Sequence, residues 1–268
     1  MSSEFTFVVE KTCPVCGKSV KVVKVKSRLA AFRMDDDYCC HYTEMNPYLY
    51  YIWVCDGCGF AADERVFLAP LSKEKKELLK NAFDNKPVHF KFDVNRTVPD
   101  GVASLKLAIF CAKVMKSPLA RIAGLELRLA WIYRLADQLE DEEKAEQEAL
   151  ELYKRSLATE HFPIGNMTDT MVAYLIGAIN VRLGNYKQAV QYLSSIVDEN
   201  NTLGDSRVAR DARRLWQEVR DKSKDEEKKD KPNTNKAAAS HSASKAKEKS
   251  KAKPAAKSKK KSGLGKWF

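Results

Sequence analysis

Two turns of the same make, Cys13-Pro14-Val15-Cys16-Gly17 and Cys55-Asp56-Gly57-Cys58-Gly59, carry the residues best suited to chemistry in this chain. Each offers two thiolates two residues apart. A tetrahedral zinc ion takes four soft ligands at about 2.3 Å, and a C-x₂-C turn supplies two of them. The glycine behind each second cysteine permits positive φ, which lets backbone N–H groups face the sulfurs. Cys13, Cys16, Cys55 and Cys58 are therefore expected to hold one structural zinc ion, as paired turns of this spacing do. The stretch from 17 to 54 exceeds the roughly 15–20 residues usual between such turns, so it must carry structure of its own. A thioredoxin-type redox pair and two disulfides are the alternatives. Two turns rather than one favour a metal, and seven cysteines without an export signal fit a reducing cytoplasm, where disulfides are rare.

The second reactive stretch lies between the turns, in residues 33–42. Asp35-Asp36-Asp37 abut Tyr38 and then Cys39-Cys40-His41. Cys39, Cys40, His41, Asp35 and Asp37 make a possible second metal site, or a nucleophile with a base for redox or hydrolytic chemistry. Adjacent cysteines point apart in an extended chain, and no oxyanion-hole or cofactor motif accompanies them. The expected state is an ordered acidic loop, with Asp35 or Asp37 paired to Arg28 or Arg33. Cys111, on or near an apolar helical stripe, reads as a core thiol.

The elements that must position these groups change character along the chain. Residues 5–9, 20–26 and 47–54 are β-branched or aromatic and predict strands around the cysteine turns, a zinc ribbon. Such a module has too little core to fold alone, and the metal would supply folding free energy. From residue 72 the period becomes helical. A helix is expected over 72–83, another capped by Asp100 with Val102, Leu105, Ile109, Ala112 and Met115 inward. Ser117-Pro118 predicts a restart with serine as cap; Leu125, Leu129, Ile132 and Ala136 mark that helix. The next opens at the acidic run 140–143 and carries Ala145, Ala149, Tyr153 and Leu157. Residues 173–193 resemble a tetratricopeptide repeat, with Gly177 where two helices cross, a Gly184-Asn185 turn, and Tyr186, Ala189, Leu193 and Ile196 in the second helix. Asp205 is expected to cap a last helix with Val208, Ala212, Leu215 and Val219 inward, a solvating end to the stack. An ordinary antiparallel bundle is the alternative. The fold class is thus α+β: a zinc-ribbon-like module over 1–70, a tetratricopeptide-like helical domain over 71–221, and a tail over 222–268.

The net charge of +11 belongs to that tail. Residues 222–268 hold 16 of the 47 Lys+Arg and five of the 36 Asp+Glu, which leaves 31 of each in the rest of the chain. A balanced body argues against a general nucleic-acid binder. The Lys/Ala/Ser-rich tail has too few apolar residues to offset its ordering entropy and is expected to be disordered. It leaves RNA, DNA, ribosomes or an anionic membrane surface as targets, or solubility alone as its role. The first residues lack the basic and apolar regions of a signal peptide, and no apolar run approaches the roughly 20 residues of a membrane span.

Over residues 5–200 the chain resembles an uncharacterised bacterial family catalogued as domain of unknown function 2225. The resemblance rests on the Cys13/Cys16 turn, Asp35-Asp36-Asp37-Tyr38, Asn46-Pro47 followed by Tyr50, the run from Val54-Cys55 to Cys58-Gly59-Phe60-Ala61-Ala62, and Leu129-Ala130-Trp131-Ile132-Tyr133-Arg134. It implies the architecture and no activity. The functional expectation is a cytoplasmic adaptor that binds a protein or peptide on the concave face of its helices, with Tyr133, Asn180 and Arg182 as contacts. A nucleic-acid-associated protein using ribbon and tail is the second reading, and an enzyme using Cys39, Cys40 and His41 the third.

Overall fold

The computed structural model describes residues 4–83, 92–199 and 206–230. Strands β1 (Thr6–Thr12) and β2 (Ser19–Val25) pair antiparallel from Thr6↔Val25 to Thr12↔Ser19, so the first cysteine turn is the tip of a hairpin. A short bulged pair follows, β3 (Ala31–Met34) and β4 (Cys40–Tyr42). The expected strand over 47–54 is cut short. Asn46 caps and Pro47 opens a 3₁₀ turn, Pro47–Tyr50, because proline donates no ladder hydrogen bond and presets the helical φ. Only Ile52–Val54 extends, as β5, pairing with β6 (Ala61–Asp63) around the second cysteine turn.

Asp63 then caps α1 (Glu64–Leu68), accepting from the Val66 N–H, and α2 (Lys73–Phe83) follows with the Ser72 hydroxyl at its start. Thr97, rather than Asp100, caps α3 (Val98–Val114). Asp100 closes a capping box by accepting from the Thr97 N–H at 2.8 Å. Ser117 is not the cap of α4 (Leu119–Arg134) either. The Glu160 carboxylate accepts from Leu119 and Ala120 N–H at 2.7 and 3.1 Å, so the end of one helix caps the start of another. Glu160 stands just beyond α5 (Leu139–Thr159), whose first turn carries Glu140, Asp141 and Glu142. The stack continues through α6 (Asp169–Arg182), α7 (Tyr186–Glu199) and α8 (Ser206–Asp230). The Asp205 cap lies outside the described residues.

From α3 to α7 each helix packs on the next, the arrangement of an antiparallel stack, with α4 buried on nearly every side. Gly177 lies where α6 meets α7: a Cβ there would stand 2.7 Å from Leu193 Cδ2, closer than carbon atoms pack. Val208, Ala212, Leu215 and Val219 of α8 are buried, as their spacing predicts. No helix among the described residues is long and apolar enough to cross a membrane.

The β hairpins are joined to the helices. Phe60 stacks on Phe67 at 5.5 Å, Trp53 meets Phe67 edge-on at 5.6 Å, and α3 lies against β5, β6 and the 3₁₀ turn. The described residues up to Lys228 form one compact unit, and the border expected at 70/71 falls inside it. α8 runs past 222, and the disorder expected of the tail concerns residues 231–268, outside the described ones.

Candidate functional site

Each cysteine turn folds the same way. In the first, the Gly17 N–H donates to the Cys13 carbonyl at 3.0 Å and the Cys13 N–H to the Lys18 carbonyl at 2.9 Å; in the second, Gly59 donates to Cys55 and Cys55 to Phe60, both at 2.8 Å. Gly17 and Gly59 both take φ of +76°, the conformation their lack of Cβ allows. The two tips face each other. Cys13 Sγ stands 3.7 Å from Cys58 Sγ, Cys16 Sγ 3.6 Å from Cys55 Sγ, and all four sulfurs lie within 4.8 Å of one another. A disulfide would bring two of them to about 2.05 Å. Four ligands at about 2.3 Å from a tetrahedral metal stand about 3.8 Å apart along each edge. The four thiols have the spacing of a metal cage and can hold an ion between the hairpin tips. Hydrogen bonds from the Cys55 and Cys58 thiols hold Cys13 down to about 4, while the bonds of Cys58 with Cys13 and Cys55 push Cys58 up. A thiolate favoured at Cys13 beside a thiol held protonated at Cys58 is a pair from which a bound cation would displace a proton. Cys111 of α3, buried and pushed up to about 12 by desolvation, sets its thiol 3.9 Å from the Gly59 carbonyl behind the second turn.

The acidic loop is a second centre, and its partners are far away in sequence. Tyr38, at φ of +68°, turns the chain so that its N–H reaches the Asp35 carbonyl at 2.9 Å. Asp37 is wholly buried. Its two oxygens accept from Arg134 Nη1 at 3.0 Å and Nη2 at 2.7 Å, and Oδ2 also takes the Trp131 indole N–H at 2.9 Å. Asp35 accepts from Arg134 at 2.9 Å and from His41 Nε2 at 2.8 Å, and lies 3.3 Å from Arg33 Nε. Burial raises the Asp35 carboxyl, but the His41 and Arg134 bonds outweigh it and hold it below the ordinary carboxylate value. Asp36 pairs with Arg214 of α8 at 2.6 Å, and its carbonyl accepts from the Tyr174 hydroxyl of α6 at 2.7 Å. The Arg33 pairing is as expected; Arg28 instead binds the Glu4 carbonyl, and the main partner is Arg134.

Arg134 is saturated. Its remaining bonds go to Glu142 Oε1 at 2.7 Å and Glu146 Oε1 at 2.8 Å of α5, and Arg182 of α6 binds the same two carboxylates. Arg182 therefore spends its charge inside the protein. Asn180 is wholly buried, donating to the Ile176 carbonyl at 2.8 Å, and Tyr133 is buried in α4. Tyr133 and Asn180 thus offer no open face to a partner. Asp35, Cys39 and His41 do come within metal-ligand reach of one another. Asp35 already holds a guanidinium and an imidazole there, and burial pushes Cys39 up to about 12, far from a thiolate. Cys40 points away from Cys39, its thiol 3.8 Å from the Tyr38 carbonyl, as alternation in an extended chain requires.

Fold and centres together define a mixed α+β protein: a four-thiol, metal-competent pair of hairpin tips, and a helical stack tied to the hairpins by a buried charge cluster. Residues 8–219 match the family described as an uncharacterized protein conserved in bacteria (DUF2225), and the chain belongs to that family. No curated protein and no solved structure matches it. The motifs that carried the resemblance meet in space here: Asp35 and Asp37 bind Trp131 and Arg134.

Proposed function

We propose that the chain is a cytoplasmic, non-enzymatic adaptor: a zinc-stabilised hairpin pair fixed to a tetratricopeptide-like stack that holds a protein or peptide partner. The bonding of the reactive groups carries this reading. Cys13, Cys16, Cys55 and Cys58 fill all four positions of a tetrahedral ion, so zinc there would join the two tips and keep no position for a substrate. In the acidic loop every carboxylate is held by arginine, and Cys39 is a buried, protonated thiol. A zinc measurement tests it. The wild type should carry one equivalent by elemental analysis, and Cys55→Ser should carry none. Because α3 rests on the second turn, the variant should melt lower as a whole rather than lose an N-terminal module alone. A Cys55→Ser protein that keeps one equivalent of zinc refutes the ligand set.

The basic tail favours a second reading, association with nucleic acid through residues 222–268. Binding of mixed RNA and DNA by the full chain, lost in a 1–221 truncation and falling steeply with salt, would put the tail's counterion release at the centre of function. Absence of binding by either leaves the adaptor reading.

A further inference from the structure

The four thiols of the hairpin tips differ in what surrounds them. Cys13 and Cys55, each directly after a strand, are buried; Cys16 and Cys58, each directly before the glycine of its turn, reach solvent in part. Across the gap the two kinds are matched. Cys16 Sγ stands 3.6 Å from Cys55 Sγ and Cys58 Sγ 3.7 Å from Cys13 Sγ, so each part-exposed thiol faces a buried thiol of the opposite turn. An accessible sulfur beside a second thiol is the arrangement in which a first oxidation ends as a disulfide instead of climbing to irreversible acids. Cys39 and Cys111 are poor competitors for an oxidant, since both are buried and desolvation pushes both up to about 12.

The loops that these pairs would close are long. Cys16 and Cys55 are 39 residues apart and Cys13 and Cys58 are 45 apart, against three within either turn. A cross-link over a long loop removes more freedom from the unfolded chain than one over a short loop. It would also join the same two tips that a metal ion joins, with the Cys111 thiol of α3 still resting on the Gly59 carbonyl behind the second turn.

We infer that the four-thiol centre is a redox-convertible clamp: hydrogen peroxide turns it from metal-held thiolates into two tip-to-tip disulfides, Cys16–Cys55 and Cys13–Cys58, and it gives up its metal without coming apart. The inference rests on the zinc reading of the centre and adds a regulation to it. With a metal bound, all four sulfurs are thiolates. In each pair the part-exposed thiolate, Cys16 or Cys58, attacks a peroxide oxygen; the O–O bond breaks, hydroxide leaves and the sulfur becomes a sulfenic acid. The buried partner, Cys55 or Cys13, attacks that sulfur as thiolate; the S–S bond forms, the S–O bond breaks and a second hydroxide leaves. Each pair passes two electrons to one peroxide, so the four thiolates consume two.

The test treats the zinc-loaded full chain with hydrogen peroxide. A chromogenic chelator follows the zinc, non-reducing peptide mass spectrometry maps the disulfides, and calorimetry compares the oxidised chain with the reduced chain stripped of metal. Zinc should be released, peptides joined by Cys16–Cys55 and Cys13–Cys58 should appear, and the oxidised chain should melt above the stripped one. Dithiothreitol and zinc together should restore the starting state. With dimedone present, the sulfenic acid should be trapped on Cys16 and Cys58. Bridges within the turns, Cys13–Cys16 and Cys55–Cys58, overturn the inference. So do retention of zinc under peroxide, sulfinic or sulfonic acids in place of disulfides, trapping on Cys13 or Cys55 instead, and an oxidised chain that melts no higher than the stripped one. A chain isolated without zinc fails the metal reading alone, and the disulfide map of its reduced form after peroxide still decides this one.

Discussion

Asp37→Asn removes one charge from the centre of the cluster and leaves the side chain's shape. In the wild type Asp37 makes two parallel bonds to Arg134 and takes the Trp131 indole, all with no exposure to solvent. Removing one partner of a buried ion pair costs about 3–5 kcal/mol. Arg134 keeps Asp35, Glu142 and Glu146, and the asparagine oxygen can still accept from Trp131, so the lower end applies, about 3 kcal/mol. For a unit of 150–250 residues each kcal/mol moves the melting temperature by about 2–4 °C, so the variant should melt about 6–12 °C lower. Asp36→Asn is the control. Its partner Arg214 is 52% exposed, and exposed pairs contribute about 0–1 kcal/mol. Scanning calorimetry at pH 7 on the two variants decides the matter. A fall for Asp37→Asn no larger than that for Asp36→Asn would refute the reasoning and reduce the cluster to a solvated charge network.

Gly177→Ala drives a methyl to 2.7 Å from Leu193, itself wholly buried; the crowding costs about 1–3 kcal/mol against a helix-propensity gain near 1 kcal/mol, so thermal melting should show a net loss, and a higher melting temperature would contradict the close crossing. Glu126 is buried in α4 and desolvation raises its carboxyl in spite of Lys113, so at pH 7 the folded state holds an ionised group that the unfolded chain hydrates better. Glu126→Gln should therefore melt higher at pH 7, and the gain should vanish as the pH falls below 4.5, where both states bind the proton; a gain that persists in acid would disprove burial as its source. Cys39, pushed up to about 12, should react with iodoacetamide far more slowly at pH 7.5 than a free thiol, read by peptide mass spectrometry; rapid labelling would restore the enzymatic reading.

What was legible in the sequence was local. The cysteine turns, their glycines and most of the inward stripes of α3 to α8 follow from spacing and period, although Val102 and Leu157 are only half-buried and Ala136 falls beyond the end of α4. The helix starts were within reach. Thr97-Val98-Pro99-Asp100 is a capping box in plain view, and Asn46-Pro47 announces a turn rather than a strand. What escaped was charge satisfied across the chain. Nothing near Asp37 marks Arg134 as its partner, and nothing near Leu119 marks Glu160 as its cap, because pairing at a distance leaves no periodic trace. The placement of the expected contact residues was hidden for the same reason. Tyr133 and Asn180 look polar in sequence but face inward, and Arg182 answers Glu142 and Glu146.

The latch between loop and helix also fixes an order of events at birth. Asp37 and Arg134 are 97 residues apart, and Asp36 and Arg214 are 178 apart, whereas each helix from α3 to α6 packs on its immediate successor. At about 5–20 residues per second of synthesis, the loop leaves the ribosome about 5–20 s before its guanidinium partner exists. Three aspartates in a row keep it hydrated through that wait. The stack, built from neighbour contacts, can assemble as it emerges, and the latch, which needs both ends, closes afterwards. Substitutions in the latch should therefore speed the opening of the finished protein and leave the rate of its formation nearly unchanged.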